Sequence, residues 1–291
     1  MRAMRRDTLI LIVLLASTSA CGGGEDGGSA SPSPTGGANP VGDFTVTVDD
    51  RSLSGECQGR VVAGQPTFVL ESGQGNDSGQ LQQIFEALAR VGLVCSYDRA
   101  GLGSSDPVDH APRRLSELLA DLHSVLAEAH VPKPYLLVGH SLGAMMVLLY
   151  AQRYPDEVAG VVSMNPGPTF HDWLRRLKPI VTRQELRDNE IAPLTGDVPG
   201  EPVDVRSSDI LLEEPFPQRI PYTIMFAEDC AGGTDPYCNK VVGQLEDTQR
   251  ALAELSPNGR FVGVRGAGHE IYLSDMDQVI AAINDVLARS R

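Results

Sequence analysis

Two short runs hold the side chains best suited to chemistry. Gly139-His140-Ser141-Leu142-Gly143 sets a serine between glycines, and Gly266-Ala267-Gly268-His269-Glu270 sets a histidine just after a glycine pair. A serine hydroxyl becomes a nucleophile when an adjacent base takes its proton, and a histidine needs a carboxylate to fix its tautomer and stabilise its charged form. Glu228, Asp229 and Asp235 follow the apolar run Tyr222-Thr223-Ile224-Met225-Phe226 and are the candidate acids. Such a group of three would support acyl transfer through a covalent intermediate.

The elements around these residues are those that such chemistry requires. Tyr135-Leu136-Leu137-Val138 is apolar without alternation, which predicts a strand buried on both faces in a parallel sheet. Ala144 to Tyr150 are good helix formers, and Pro155 ends the run. Strand, G-x-S-x-G turn and helix in that order predict an elbow that lifts Ser141 out of the sheet. His269 follows the expected last strand, Arg260 to Val264, and precedes the final helix, so it can reach across to the elbow. The other histidines lack this setting. His140 lies inside the elbow facing the wrong way, His110 and His171 have no strand before them, and His123 and His130 lie along a helix.

On these motifs residues 44 to 291 resemble the α/β-hydrolase superfamily, and the order serine, acid, histidine is the superfamily's own. The resemblance implies the α/β-hydrolase fold, a mostly parallel central sheet with helices on both faces and a small cap insertion. It implies a triad of Ser141, Asp229 and His269, since Asp229 lies nearest the usual place of the acid. It also implies an oxyanion donor in the turn Glu71-Ser72-Gly73-Gln74-Gly75, where Ser72 stands in place of the usual histidine. Gln74 is the first choice there and Gly73 the second, partnered by Leu142. Asp98-Arg99-Ala100-Gly101-Leu102-Gly103-Ser104-Ser105-Asp106 resembles a hallmark turn of the same superfamily, expected to tie a loop to the sheet. Residues 166 to 220, rich in proline and charge, fall where the family carries a cap, with Phe170, Trp173, Leu174 and Phe216 as expected pocket contacts. The implied activity is cleavage of carboxylic esters. Acyl transfer, perhydrolysis, amide or lactone cleavage on the same triad, and a surface-binding protein without catalysis, are the alternatives. No cofactor and no metal is expected, and the partner is a small ester or acyl substrate. An aspartate nucleophile, which the dehalogenase and epoxide-hydrolase branches need, is absent from the elbow.

The remaining sequence fits an exported domain. Of 291 residues, 24 are basic and 38 acidic, for a net charge of -14. Without the first twenty residues the balance is 21 against 37, which disfavours binding to nucleic acid or anionic lipid through charge. Arg2, Arg5 and Arg6, the apolar Leu9 to Leu15 and the small residues Ala16 to Ala20 read as a signal peptide over residues 1–20. Cys21 after Thr18-Ser19-Ala20 resembles the lipobox of bacterial lipoproteins, and residues 21–42 have the Gly, Ser and Pro composition of a tether. A membrane-anchored lipoprotein outside the cytoplasm is expected, with plain secretion as the alternative and the anchor as the only membrane contact. Cys57, Cys95, Cys230 and Cys238 then form an even set in an oxidising compartment, and Cys57 with Cys95 could staple neighbouring strands. The folded domain is expected over residues 43–291. Leu81, Ile84, Phe85, Leu88 and Val91 predict one amphipathic helix, and Leu115, Leu118, Leu119, Leu122, Val125 and Leu126 a second.

Overall fold

The computed structural model describes residues 41–180, 198, 200–213, 215–228 and 236–291. Cys21, Asp229, Cys230 and Asp235 lie outside the described residues, as does the side chain of Cys238. The strands are β1 (Gly42–Val48), β2 (Arg51–Gly59), β3 (Thr67–Glu71), β4 (Leu93–Tyr97), β5 (Tyr135–His140), β6 (Val158–Met164), β7 (Tyr222–Ala227) and β8 (Gly259–Val264). They form one sheet in the order β1-β2-β4-β3-β5-β6-β7-β8. The β1/β2 and β2/β4 pairs are antiparallel, and every pair from β4/β3 onward is parallel. This is the mostly parallel sheet that the apolar runs predict.

Strand β5 sits between β3 and β6, and all six of its residues are buried. Successive side chains of a strand point to opposite faces. Tyr135 and Leu137 accordingly enter one core, with α2 (Leu115–Glu128) and α3 (Leu142–Arg153), while Leu136 and Val138 enter the other. That second core is closed by α1 (Gln82–Ala89) and α5 (Met276–Arg289). A strand covered on both sides has no polar face to show, which is why its sequence does not alternate. Helix α4 (Pro236–Ala253) packs against β7 and β8.

Both predicted amphipathic helices form, with one correction. Helix α1 ends at Ala89, the Val91 and Gly92 amides both bond to the Leu88 carbonyl, and Val91 is 54% exposed in the turn that results. Helix α2 buries all six predicted positions and begins with the Glu117 carboxylate accepting from the Arg114 N–H. Cys57 and Cys95 face each other in the β2/β4 register and are joined by a disulfide.

The segment after β6 holds only short pieces among the described residues. These are Phe170–Asp172, a wide turn at Trp173–Leu177 and a 3-10 stretch at Val205–Leu212. Its later part docks on the domain through Leu115 N–H to Ser207 Oγ (2.9 Å), Gln152 Nε2 to the Leu211 carbonyl (3.1 Å) and a bridge between Arg113 and Val203. Among the described residues no helix is long and apolar enough to cross a membrane.

Candidate active site

Ser141 is the first residue beyond β5, with φ 55° and ψ -114°, a conformation that a residue with a side chain adopts only under strain. The surroundings hold it there. Its N–H donates to the Met164 carbonyl (2.9 Å), and its carbonyl accepts from the Ala144 (3.1 Å) and Met145 (3.3 Å) amides at the start of α3. The flanking glycines are required by space. A Cβ on Gly139 would overlap the Gly143 carbonyl, and one on Gly143 would overlap the Glu71 carbonyl. Helix α3 therefore sits directly against the turn after β3, which brings Leu142 and Gln74 to one place.

Gln74, Ser141 and Leu142 line one small cavity of about 40 Å³, together with Met145, Pro168 and Val203 among others. Leu142 opens α3, so its N–H belongs to the first turn, whose amides have no partner within the helix. The Gly73 N–H, the second-choice donor, is taken by Gln80 Oε1 at 2.6 Å. The four residues expected to shape the pocket are not in its lining. Phe216 is buried against Tyr222, with ring centroids 4.2 Å apart, and Leu174 is exposed. Phe170 and Trp173 stack on each other. Gly167, Pro168, Val203, Val205 and Ser208 supply the segment's lining instead.

Arg99 ties the turn after β3 in place. It is 2% exposed, and its five N–H groups meet five acceptors: Glu201 Oε1 (2.6 Å) and Oε2 (2.8 Å), Glu71 Oε2 (3.2 Å), and the carbonyls of Ser72 (2.8 Å) and Gly73 (2.7 Å). Glu201 also accepts the Gly75 N–H on Oε2 (2.8 Å), and its carbonyl accepts from Gln74 Nε2 (2.7 Å). Asp98 accepts the Ser78 and Ser104 amides, both at 2.9 Å. Burial works against the Arg99 charge, but the Glu201 carboxylate, with Glu71 adding to it, holds the guanidinium pKa above its ordinary value. Burial pushes Glu71 up to about 7, with the Arg99 charge opposing.

His269 lies beside His140, their ring centroids 4.7 Å apart. His140 is buried, its Nε2–H donates to the His269 carbonyl (3.0 Å), and burial followed by the His269 charge pushes its pKa down to about 3. It is a neutral prop. Asn165, just beyond β6, is the other support. Its Oδ1 accepts the Ala227 N–H (3.1 Å), which turns its Nδ2 toward His269, where it reaches both the carbonyl and Nδ1 at 3.1 Å. The Nδ1 atom therefore acts as an acceptor, and the neutral ring carries its proton on Nε2. Packing lowers the His269 pKa, with the Glu270 carboxylate opposing, although the residue as a whole remains exposed. Among the described residues no hydrogen bond joins the His269 ring to the Ser141 hydroxyl.

Of the three candidate acids only Glu228 is described. Its carboxylate pairs with Arg265 (3.3 Å) and lies over Gly263, in a position taken up by the β8 end rather than by His269. Asn165 and Glu201 had not been expected. Asn165 carries one signal, its place at the carboxyl end of a parallel strand, where sites collect. Glu201 carries none, for it stands alone between a glycine and a proline. No cluster of His, Cys, Asp or Glu among the described residues could hold a metal ion.

Residues 65–186 match the family model described as serine aminopeptidase, S33. RutD of Yersinia enterocolitica, a candidate carbamate hydrolase, is 26% identical over 237 residues, covering 73% of this chain and 84% of that protein. The monoacylglycerol lipase of Mycolicibacterium smegmatis is 28% identical over 152 residues, 50% of this chain and 51% of the lipase. Of two Bacillus subtilis relatives of uncharacterized function the chain spans only 37% and 47%. The solved monoacylglycerol lipase of Paleococcus ferrophilus superposes with a TM-score of 0.58 at 21% identity, covering 81% of this chain and 99% of the lipase. Sheet order, elbow and these matches agree, and the chain has the α/β-hydrolase fold.

Proposed function

We propose that the chain is a serine hydrolase that cleaves carboxylic esters through an acyl-enzyme intermediate. The observation that carries this reading is the strained elbow, which presents Ser141 to a cavity shared with Gln74 and Leu142. Strain of this kind costs about 1–3 kcal/mol and persists where the surroundings enforce it, here through two glycines that admit no side chain. Ser141 attacks the ester carbonyl, and the Leu142 and Gln74 amides receive the negative charge on its oxygen. His269 takes the serine proton, passes it to the leaving alcohol, and then activates the water that releases the acid.

For that role the His269 ring turns off Asn165 so that Nε2 accepts from Ser141 and Nδ1–H donates to the acid, for which we propose Asp229. A ligand-free site commonly has loose catalytic hydrogen bonds that tighten with substrate. Two relatives named as monoacylglycerol lipases support an ester, and the candidate carbamate hydrolase among the relatives supports a second reading on the same residues, cleavage of a carbamate. Ser141→Ala is expected to abolish hydrolysis of short nitrophenyl esters and labelling by a fluorophosphonate. Wild-type ester turnover in that variant ends the proposal, and turnover of carbamates alone selects the second reading. We also propose export, with Cys21 as a lipid-bearing anchor.

A further inference from the structure

We infer that Glu201, in the segment between β6 and β7, is a positioning residue that aims the oxyanion donor of Gln74. The inference rests on the proposed function and names a residue for it that touches neither substrate nor reacting atoms. In a trans peptide the carbonyl of one residue and the N–H of the next point in opposite directions. The Gly73 carbonyl is drawn inward to Arg99 Nη2 (2.7 Å), so the Gln74 N–H of the same peptide plane is sent away from Arg99, and Gln74 lines the cavity that it shares with Ser141. Direction at Gln74 thus depends on where the Arg99 guanidinium lies.

Glu201 sets that place. It grips Arg99 through two parallel bonds, Nε to Oε1 and Nη2 to Oε2, a fork geometry that fixes orientation as well as distance. Glu71 makes one longer bond to the same group. Glu201 also holds both sides of Gln74 directly, through the Gly75 N–H and the Gln74 side chain. Arg99, Glu71 and Glu201 are 1–3% exposed, so water does not substitute for any of them. Glu201 lies more than a hundred residues from the turn it holds, in the same segment that lines the cavity with Val203 and Ser208. Seating that segment and aiming the donor are one event.

The test compares E201Q and E201A with wild type by ester kinetics per active site, counted by fluorophosphonate titration, and by hydrogen exchange over residues 72–76. E201Q is isosteric and keeps one acceptor, so it covers the case in which E201A does not fold. The expected result is a kcat about tenfold lower in E201Q and about a hundredfold lower in E201A, near the loss of one oxyanion donor, with KM within twofold. Exchange at residues 72–76 rises in both. A merely structural role lowers the yield of folded enzyme and leaves kcat per site unchanged, which overturns the inference, as does unchanged exchange. Wild-type kcat in E201Q while Ser141 remains essential overturns this inference alone. Wild-type turnover in Ser141→Ala removes it together with the proposed function.

Discussion

At Ser141 stability and chemistry pull against each other. Its φ of 55° strains any residue that carries a Cβ, so alanine inherits the strain and glycine does not. Ser141→Gly is expected to raise the unfolding free energy by about 1 kcal/mol over Ser141→Ala in urea titration, with both variants inactive. The imidazole gives a pH prediction. Packing lowers the His269 pKa and Glu270 raises it, and on the proposed reading the base works only when neutral, so the acidic limb of kcat/KM is expected below the ordinary histidine value. Glu270→Gln removes the opposing charge and moves that limb to still lower pH, which a rate profile between pH 4 and 8 reads directly. Ser141 and His269 were legible because glycines and flanking strands mark them. Asn165 was not, since a lone polar residue after a strand looks like any loop start until folding brings residues 104 positions apart within 3.1 Å.

Elements with one periodic signature were readable, and those without were not. The apolar run of β5 has no other use than a strand covered twice, and α2 shows its inward face at every third or fourth position. Val91 fitted the period of α1 but fell past its end, because periodicity carries no stop signal and the Leu88 carbonyl closes the helix. Among the described residues the segment after β6 makes short turns without a period, held by hydrogen bonds to distant elements, so neither its course nor its lining residues could be read. The antiparallel pair β2/β4 is stapled by Cys57–Cys95, on the far side of β3 from β5. Replacing both cysteines with serine is expected to cost roughly 2–4 kcal/mol of stability in denaturant titration while leaving kcat near wild type. The end of β3 carries a further pH effect. Glu71 is held up to about 7 against an ordinary 4.5, so the folded state keeps its proton where the unfolded state has lost it. Its contribution is full below pH 4.5 and declines as pH rises through about 7. Glu71→Gln is expected to flatten the fall in melting temperature across that window.

For the whole molecule, the site groups share one edge of the sheet. Gln74 follows β3, Arg99 follows β4, Ser141 follows β5, Asn165 follows β6 and His269 follows β8, each at the carboxyl end of a parallel strand. The chain from β1 onward supplies all five. A protein lacking residues 1–40 is therefore expected to keep kcat and KM. Its location should change. A net charge of -14 disfavours binding to anionic lipid through charge, so attachment to membrane on the proposed reading rests on Cys21 alone. Cys21→Ser in the full-length protein is expected to move it from the membrane fraction to the soluble fraction without altering turnover. Retention in the membrane by Cys21→Ser would show that something other than acylation holds it there, and the anchor proposal would fail while the hydrolase reading stood.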